Sequence, residues 1–129
     1  MSDGQYVTPI KAARGLGSAK SGTEHHIRLR VTAIALAFLV PWFLYAVIKA
    51  SGAGYEGALD WVGQPVNATL LILTAAAVSY HMRLGMQVII EDYIAKTATR
   101  TTLLILNTFA AYAMFIAVAM AVFQIWTTR

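Results

Sequence analysis

Three long runs without a charged side chain constrain this chain more than any other feature. Residues 31–48, 61–82 and 101–128 contain no Asp, Glu, Lys or Arg. At about 1.5 Å per residue, the shortest run spans about 27 Å as a helix, which is enough to cross the hydrocarbon core of a bilayer. A backbone inside a membrane must satisfy its own hydrogen bonds. Each run therefore predicts a transmembrane α-helix.

The composition excludes the other broad classes. Of the 129 residues, 58% are hydrophobic and only 12% are charged, whereas an average soluble domain carries about 25% charged residues. The chain is too apolar for a disordered protein as well. It has no Cys, which excludes disulfides and thiolate-held zinc or iron–sulfur sites on this chain. No basic patch is interleaved with aromatic residues, so we expect no nucleic acid partner.

These features predict an all-α membrane protein with a single domain, residues 1–129, embedded among membrane lipids. Residues 1–24 are rich in Gly, Ser and Ala and predict a flexible cytoplasmic tail. Residues 49–65 predict a short loop, because Gly and Pro recur there. The predicted transmembrane helices cover about residues 29–49, 65–91 and 101–126.

The distribution of basic residues predicts the orientation. Five Lys and Arg lie in residues 1–30, one in residues 49–65, three in residues 83–100 and one at the C-terminus. Cytoplasmic segments of membrane proteins carry the excess of Lys and Arg. The N-terminus and the second connection are therefore predicted in the cytoplasm, and the first connection and the C-terminus in the periplasm.

The second run carries a histidine within its apolar span. At about 100° per residue, His81 and Gly85 lie one turn apart on one helix face, and Asp92 lies about 20° from that stripe. Glycine one turn from histidine leaves room for a flat macrocycle against the backbone. Two alternatives are a histidine that only hydrogen-bonds a neighbouring helix and a zinc site, although a zinc site needs further ligands at suitable spacing.

Two segments resemble a known family. Residues 81–93, HMRLGMQVIIEDY, resemble the H-x-x-x-G…D-Y signature of the small membrane anchor of succinate dehydrogenase. Residues 25–36, HHIRLRVTAIAL, resemble the start of the first helix in that subunit. The number of spans, the predicted orientation and the chain length agree with the same family, and the resemblance covers about residues 22–126.

The resemblance implies cofactors and the residues that bind them. It implies a haem b with one axial histidine from each of two anchor subunits, and His81 matches the position that ligates the haem iron. Tyr93 and Asp92 match a pair at a ubiquinone-reducing site. Arg30 and one of the two neighbouring histidines, His25 or His26, match a basic cluster near the haem propionates.

The resemblance also implies partners and a location. The partners are a second membrane anchor subunit (cytochrome b556-type), an iron–sulfur subunit and a flavoprotein subunit, in the bacterial cytoplasmic (inner) membrane. Together they would transfer electrons from succinate to quinone, in the tricarboxylic acid cycle and the respiratory chain. The chain alone has no nucleotide, flavin or cluster motif, so catalysis would belong to the complex.

Three other functions fit parts of the sequence. The anchor of a quinol:fumarate reductase has the same chemistry in reverse. A small membrane transporter would need an acidic residue inside a span, and all six acidic residues lie outside the apolar cores. A structural adaptor would leave the stripe of His81, Gly85 and Asp92 without a role.

Overall fold

The computed structural model describes residue 10 and residues 20–129, and residues 20–129 form four helices. Three of the helices are long and apolar enough to cross a membrane, which confirms the all-α prediction with three candidate spans. The helices are α1 (Lys20–Gly52), α2 (Gly54–Gly63), α3 (Pro65–Tyr93) and α4 (Thr97–Thr128).

Two boundaries differ from the prediction. Helix α1 begins at Lys20, inside the segment predicted as a flexible tail, while residues 1–9 and 11–19 of that tail lie outside the described residues. The predicted loop at residues 49–65 contains α2. Apolar residues in this segment recur at helical spacing, at Tyr55, Ala58, Leu59 and Val62. The helix has only ten residues and includes Gly57 within the apolar pattern, so the segment resembles a glycine-containing loop in sequence.

Local residue chemistry explains where the helices end. Gly54, the first residue of α2, has a φ of 69°, a left-handed conformation that favours glycine. Pro65 is the first residue of α3, where its missing N–H costs no helical hydrogen bond. Only residues 94–96 separate α3 from α4. Such a short connection makes the two helices antiparallel neighbours.

Helix α3 lies between the other two long helices. Both α1 and α4 pack against it, and within residues 20–129 α1 and α4 do not contact each other. It is also the least apolar of the three spans, with a mean hydropathy of 1.2 against 2.3 and 2.1 for α1 and α4. A central helix shows less of its surface to lipid, so it can carry polar side chains at a smaller cost.

Small side chains bring the long helices together. The buried residues of the helix contacts include Ala46, Ala68, Thr74, Ser79 and Ala111. Without a hydrophobic driving force between helices in lipid, close packing of small residues is a main source of helix association. Most large apolar side chains point outward instead, for example Phe38 and Phe109, which are 77% and 69% exposed.

Helix α2 is held against the end of the bundle. The Arg129 guanidinium pairs with Glu56 and, at 3.0 Å, with Asp60. The Trp61 ring stacks on the Trp42 ring of α1, with 6.1 Å between the ring centroids. One end of the molecule is therefore closed by α2, the end of α1 and the C-terminus.

Candidate functional site

His81 lies within α3 and contacts α1. The ring is half-buried, and its Nδ1 lies 3.0 Å from the hydroxyl oxygen of Thr32 on α1. The side-chain polar atoms that are buried without a partner in residues 20–129 are His25 Nε2 and Ser79 Oγ. His81 Nε2 has no hydrogen-bond partner among the described residues either. Because His81 Nε2 is not one of these two buried atoms, it is at least partly accessible at the surface of the chain.

The surface beside His81 is open. A Cβ built on Gly85, one turn along α3, would meet nothing within 4 Å. A flat group bound at His81 would therefore find room against the α3 backbone there. Within residues 20–129, no group of three or more His, Cys, Asp or Glu side chains is close enough to hold a metal ion. The site offers one imidazole as a donor. One imidazole suits a haem iron whose second protein ligand comes from elsewhere.

Asp92 and Tyr93 end α3. Both side chains are exposed, Tyr93 by 82%. The rise of an α-helix places them about 16–18 Å along the axis from His81. The α3 backbone ends there with the Ile94 N–H donating to the Ile90 carbonyl at 3.1 Å. Neither side chain has a hydrogen-bond partner among the described residues, so both are free to contact a ligand or another subunit.

The structure separates the basic residues at the start of α1. His25 is half-buried and faces α3, whereas His26 and Arg30 are exposed. At about 100° per residue, Arg30 points to nearly the opposite side of α1 from Thr32. The structure therefore brings His81 and Thr32 together but places neither His26 nor Arg30 against them.

His25 lines a polar pocket of about 340 Å³ between α1 and α3. Within it Gln87 donates to Glu91 at 2.8 Å, and Arg28 pairs with Glu24. The α3 residues of the pocket lie on a different side of the helix from Gly85 and Asp92. The lining residues are Gly22, Glu24, His25, Arg28, Tyr80, Arg83, Leu84, Gln87 and Glu91.

Arg83, two residues after His81, is the only Lys or Arg of α3. Its Nε donates to Thr108 at 3.3 Å, and its guanidinium lies 5.9 Å from the Tyr112 ring centroid. The amide of Asn107 donates to the Arg83 carbonyl at 2.9 Å. All three partners belong to α4, so Arg83 connects α3 to α4. His81, in contrast, contacts α1.

Sequence reasoning missed Thr32 as the partner of His81. The sequence did single out Thr32, because Thr32 and Pro41 are the only non-hydrophobic residues in the run 31–48. In the structure Thr32 also belongs to a half-buried stripe at helical spacing, residues 25, 29, 32, 36 and 39. That stripe marks the side of α1 that faces another helix, although it does not identify which one.

The chain is similar in sequence to proteins of one known family. The model of the family described as succinate dehydrogenase/fumarate reductase transmembrane subunit matches residues 5–126. The succinate dehydrogenase hydrophobic membrane anchor subunit of Paracoccus denitrificans is 36% identical over 117 residues, which are 91% of this chain and 90% of that protein. The protein with the same name from Rickettsia bellii is 35% identical over 118 residues, which are 92% and 94% of the two chains.

No solved structure matches the chain. The three apolar helices, together with bacterial membrane-anchor relatives, make this a multi-pass protein of the bacterial inner membrane. The family match covers nearly the whole chain and includes all three spans. The chain therefore belongs to the family of succinate dehydrogenase hydrophobic membrane anchor subunits.

Proposed function

We propose that this chain anchors a succinate:quinone oxidoreductase in the membrane and takes part in electron transfer from succinate to ubiquinone. Its partners would be a second membrane anchor subunit (cytochrome b556-type), an iron–sulfur subunit and a flavoprotein subunit. The names of the relatives from Paracoccus denitrificans and Rickettsia bellii support membership of such a complex. The large apolar surface of the isolated chain also supports it, because lipid and a second anchor would cover that surface.

One observation carries the proposal: His81 Nε2 has no partner among the described residues and is accessible, and one turn along α3 there is open space at Gly85. Buried or half-buried polar atoms in a membrane protein normally find a partner. An imidazole that bonds through one nitrogen and leaves the other free is the arrangement expected of a metal ligand.

His81 would be one axial ligand of a haem b. A haem bound there would accept and release single electrons. His81 is the only histidine within a predicted transmembrane run, since the other two are His25 and His26. A second axial histidine would therefore come from the second anchor, and the haem would lie between the two subunits.

Tyr93 and Asp92 would form part of the ubiquinone site. A phenol donates a hydrogen bond without carrying a charge at neutral pH, which suits a quinone carbonyl. Asp92 is exposed and adjacent, so its carboxylate can hold or pass a proton between water and the site. Quinone reduction consumes two protons, so the reducing site needs groups of this kind near water.

His25, His26 and Arg30 would contact the haem propionates. They lie within two turns of Thr32 on the same helix, and therefore near the level of His81. Because His26 and Arg30 point away from α3, they are available to carboxylates held between this chain and a second subunit. Arginine suits such carboxylates because its guanidinium can donate two parallel hydrogen bonds.

The optical spectrum of the purified complex tests the haem ligand. We expect His81→Ala to remove the reduced-minus-oxidised signal of a low-spin b-type haem, because one of the two axial imidazoles is lost. Met82→Ala is the matched control, since it shortens the next side chain of α3, which is 41% exposed. An unchanged low-spin haem spectrum in the His81→Ala complex would contradict the assignment.

A further inference from the structure

The Thr32 hydroxyl connects α1 to the proposed haem ligand through three contacts. Its oxygen lies 3.0 Å from His81 Nδ1 on α3. The same oxygen lies 3.0 Å from the carbonyl oxygen of Arg28 and 3.0 Å from that of Leu29, both in its own helix. Thr32 and His81 are 49 residues apart in the sequence, so only the packing of α1 on α3 creates this contact.

The donor and acceptor roles in these contacts depend on where the Thr32 hydrogen points. A hydroxyl has one hydrogen to donate and lone pairs that accept, whereas a carbonyl oxygen can only accept. The two carbonyl contacts at 3.0 Å favour an orientation in which the hydrogen of Thr32 points to Arg28 and Leu29. In that orientation the Thr32 oxygen accepts, and the hydrogen of the His81 contact comes from Nδ1.

We propose that Thr32 is a positioning residue that holds His81 as the Nδ1–H tautomer and directs Nε2 out of the contact between α1 and α3. In a neutral imidazole one nitrogen carries the hydrogen and the other carries a lone pair. With the hydrogen on Nδ1, Nε2 carries the lone pair that a metal requires. This inference rests on the proposed role of His81 as a haem ligand.

Threonine suits this task better than a flexible polar residue. In a helix its side chain adopts few rotamers, and the bond to a carbonyl three or four residues earlier selects among them. The backbone of α1 thereby holds the acceptor oxygen in one place. The position of the Thr32 oxygen on α1 then determines the orientation of the His81 ring.

The bond should also change the properties of the ligand. An imidazole that donates its other N–H becomes a more basic ligand, and loss of such a partner typically lowers metal affinity about 10- to 100-fold. A more basic ligand stabilises ferric iron more than ferrous iron. Without the Thr32 hydroxyl we therefore expect weaker haem retention and a higher midpoint potential of the haem.

The test uses the whole purified complex with Thr32→Val, which keeps the shape of the side chain but lacks the hydroxyl. We measure the midpoint potential by optical redox titration, together with the haem content per complex. Thr32→Val should raise the potential and lower haem retention, while Thr32→Ser, which keeps the hydroxyl, should restore both values. Thr32→Ala provides a second variant without the hydroxyl if the valine variant does not assemble.

Thr69→Val is the matched control. Thr69 bonds the Pro65 carbonyl at 2.8 Å, as Thr32 bonds its own helix, but it lies about 18 Å along α3 from His81. Wild-type potential and haem content in both hydroxyl-free variants at position 32 would overturn the inference. So would an equal shift in Thr69→Val. The His81→Ala spectrum distinguishes the two proposals, because a retained low-spin haem there contradicts the ligand itself and not only its positioning.

Discussion

Tyr93 is the residue that most directly tests the quinone proposal, because its side chain is 82% exposed and has no partner among the described residues. We expect Tyr93→Phe to lower succinate-driven ubiquinone reduction about tenfold, since one charge-free donor to a quinone carbonyl is lost. Succinate oxidation with an artificial acceptor that takes electrons from the soluble subunits should stay at the wild-type rate. Both rates are measured on the same membranes.

Tyr55→Phe is the control for this residue, because Tyr55 is 77% exposed and lies on α2, at the other end of the bundle. It should change neither rate. A parallel fall of both rates in Tyr93→Phe would assign Tyr93 to assembly of the complex. Two unchanged rates would place the quinone site elsewhere.

Helix α2 depends on Arg129 for its attachment to the bundle. The hydrogen bond with Glu56 is the largest of the interactions that raise the pKa of Arg129 above its ordinary value. The charges of Glu56 and Asp60 and the bond to Asp60 act in the same direction, and they outweigh the desolvation of the guanidinium, which lowers the pKa. Gly63 allows this approach, because a Cβ there would lie 2.9 Å from the Arg129 Cβ. The C-terminus and α2 therefore hold each other in place.

We expect Arg129→Ala to speed amide hydrogen exchange in residues 54–63, because α2 loses its ionic attachment to the C-terminus. Gly63→Val should do the same, since its side chain would displace Arg129. The difference between Arg129→Ala and wild type should shrink at high salt, which screens exposed ion pairs.

Amide hydrogen exchange is followed by mass spectrometry. Gly52→Ala, whose Cβ would meet nothing within 4 Å, is the control. Wild-type exchange rates in both variants would contradict this prediction. They would show that the Trp61 stacking and the other helix contacts are enough to hold α2 in place.

The orientation of the chain in the membrane is a further prediction to test. The chain has no Cys, so single cysteines can be introduced without a background on this subunit. We expect Ser51→Cys to react with a membrane-impermeant maleimide added to spheroplasts, because residues 49–65 are predicted in the periplasm. Thr97→Cys should react only after the membrane is opened, because the predicted cytoplasmic connection contains most of the basic residues beyond the first helix. The label is read on this chain after the subunits are separated.

Labelling after detergent treatment is the control that both cysteines are accessible, since the side chains of Ser51 and Thr97 are exposed in the isolated chain. The reverse pattern, with Thr97→Cys labelled in spheroplasts, would contradict the orientation. It would also move Tyr93 to the periplasmic side and so contradict the quinone proposal.

The three spans could be predicted from the sequence, because length and absence of charge are sufficient to place a helix in a bilayer. It also determined the register of His81, Gly85 and Asp92, because all three lie on one uninterrupted helix, where angle follows from spacing. Helix α2 was missed, since a ten-residue amphipathic pattern rich in glycine resembles a loop.

The pairing of the helices became known only from their packing. The spans are apolar on most sides, so their sequences do not show that α3 lies between α1 and α4. The contacts of Thr32 with His81, of Arg83 with Thr108 and of Arg129 with α2 join residues 25 to 73 positions apart. Each depends on the rotation of one helix against another. That rotation is decided by the close packing of small side chains such as Ala46, Ala68 and Ala111, a property of the assembled bundle and not of any one segment.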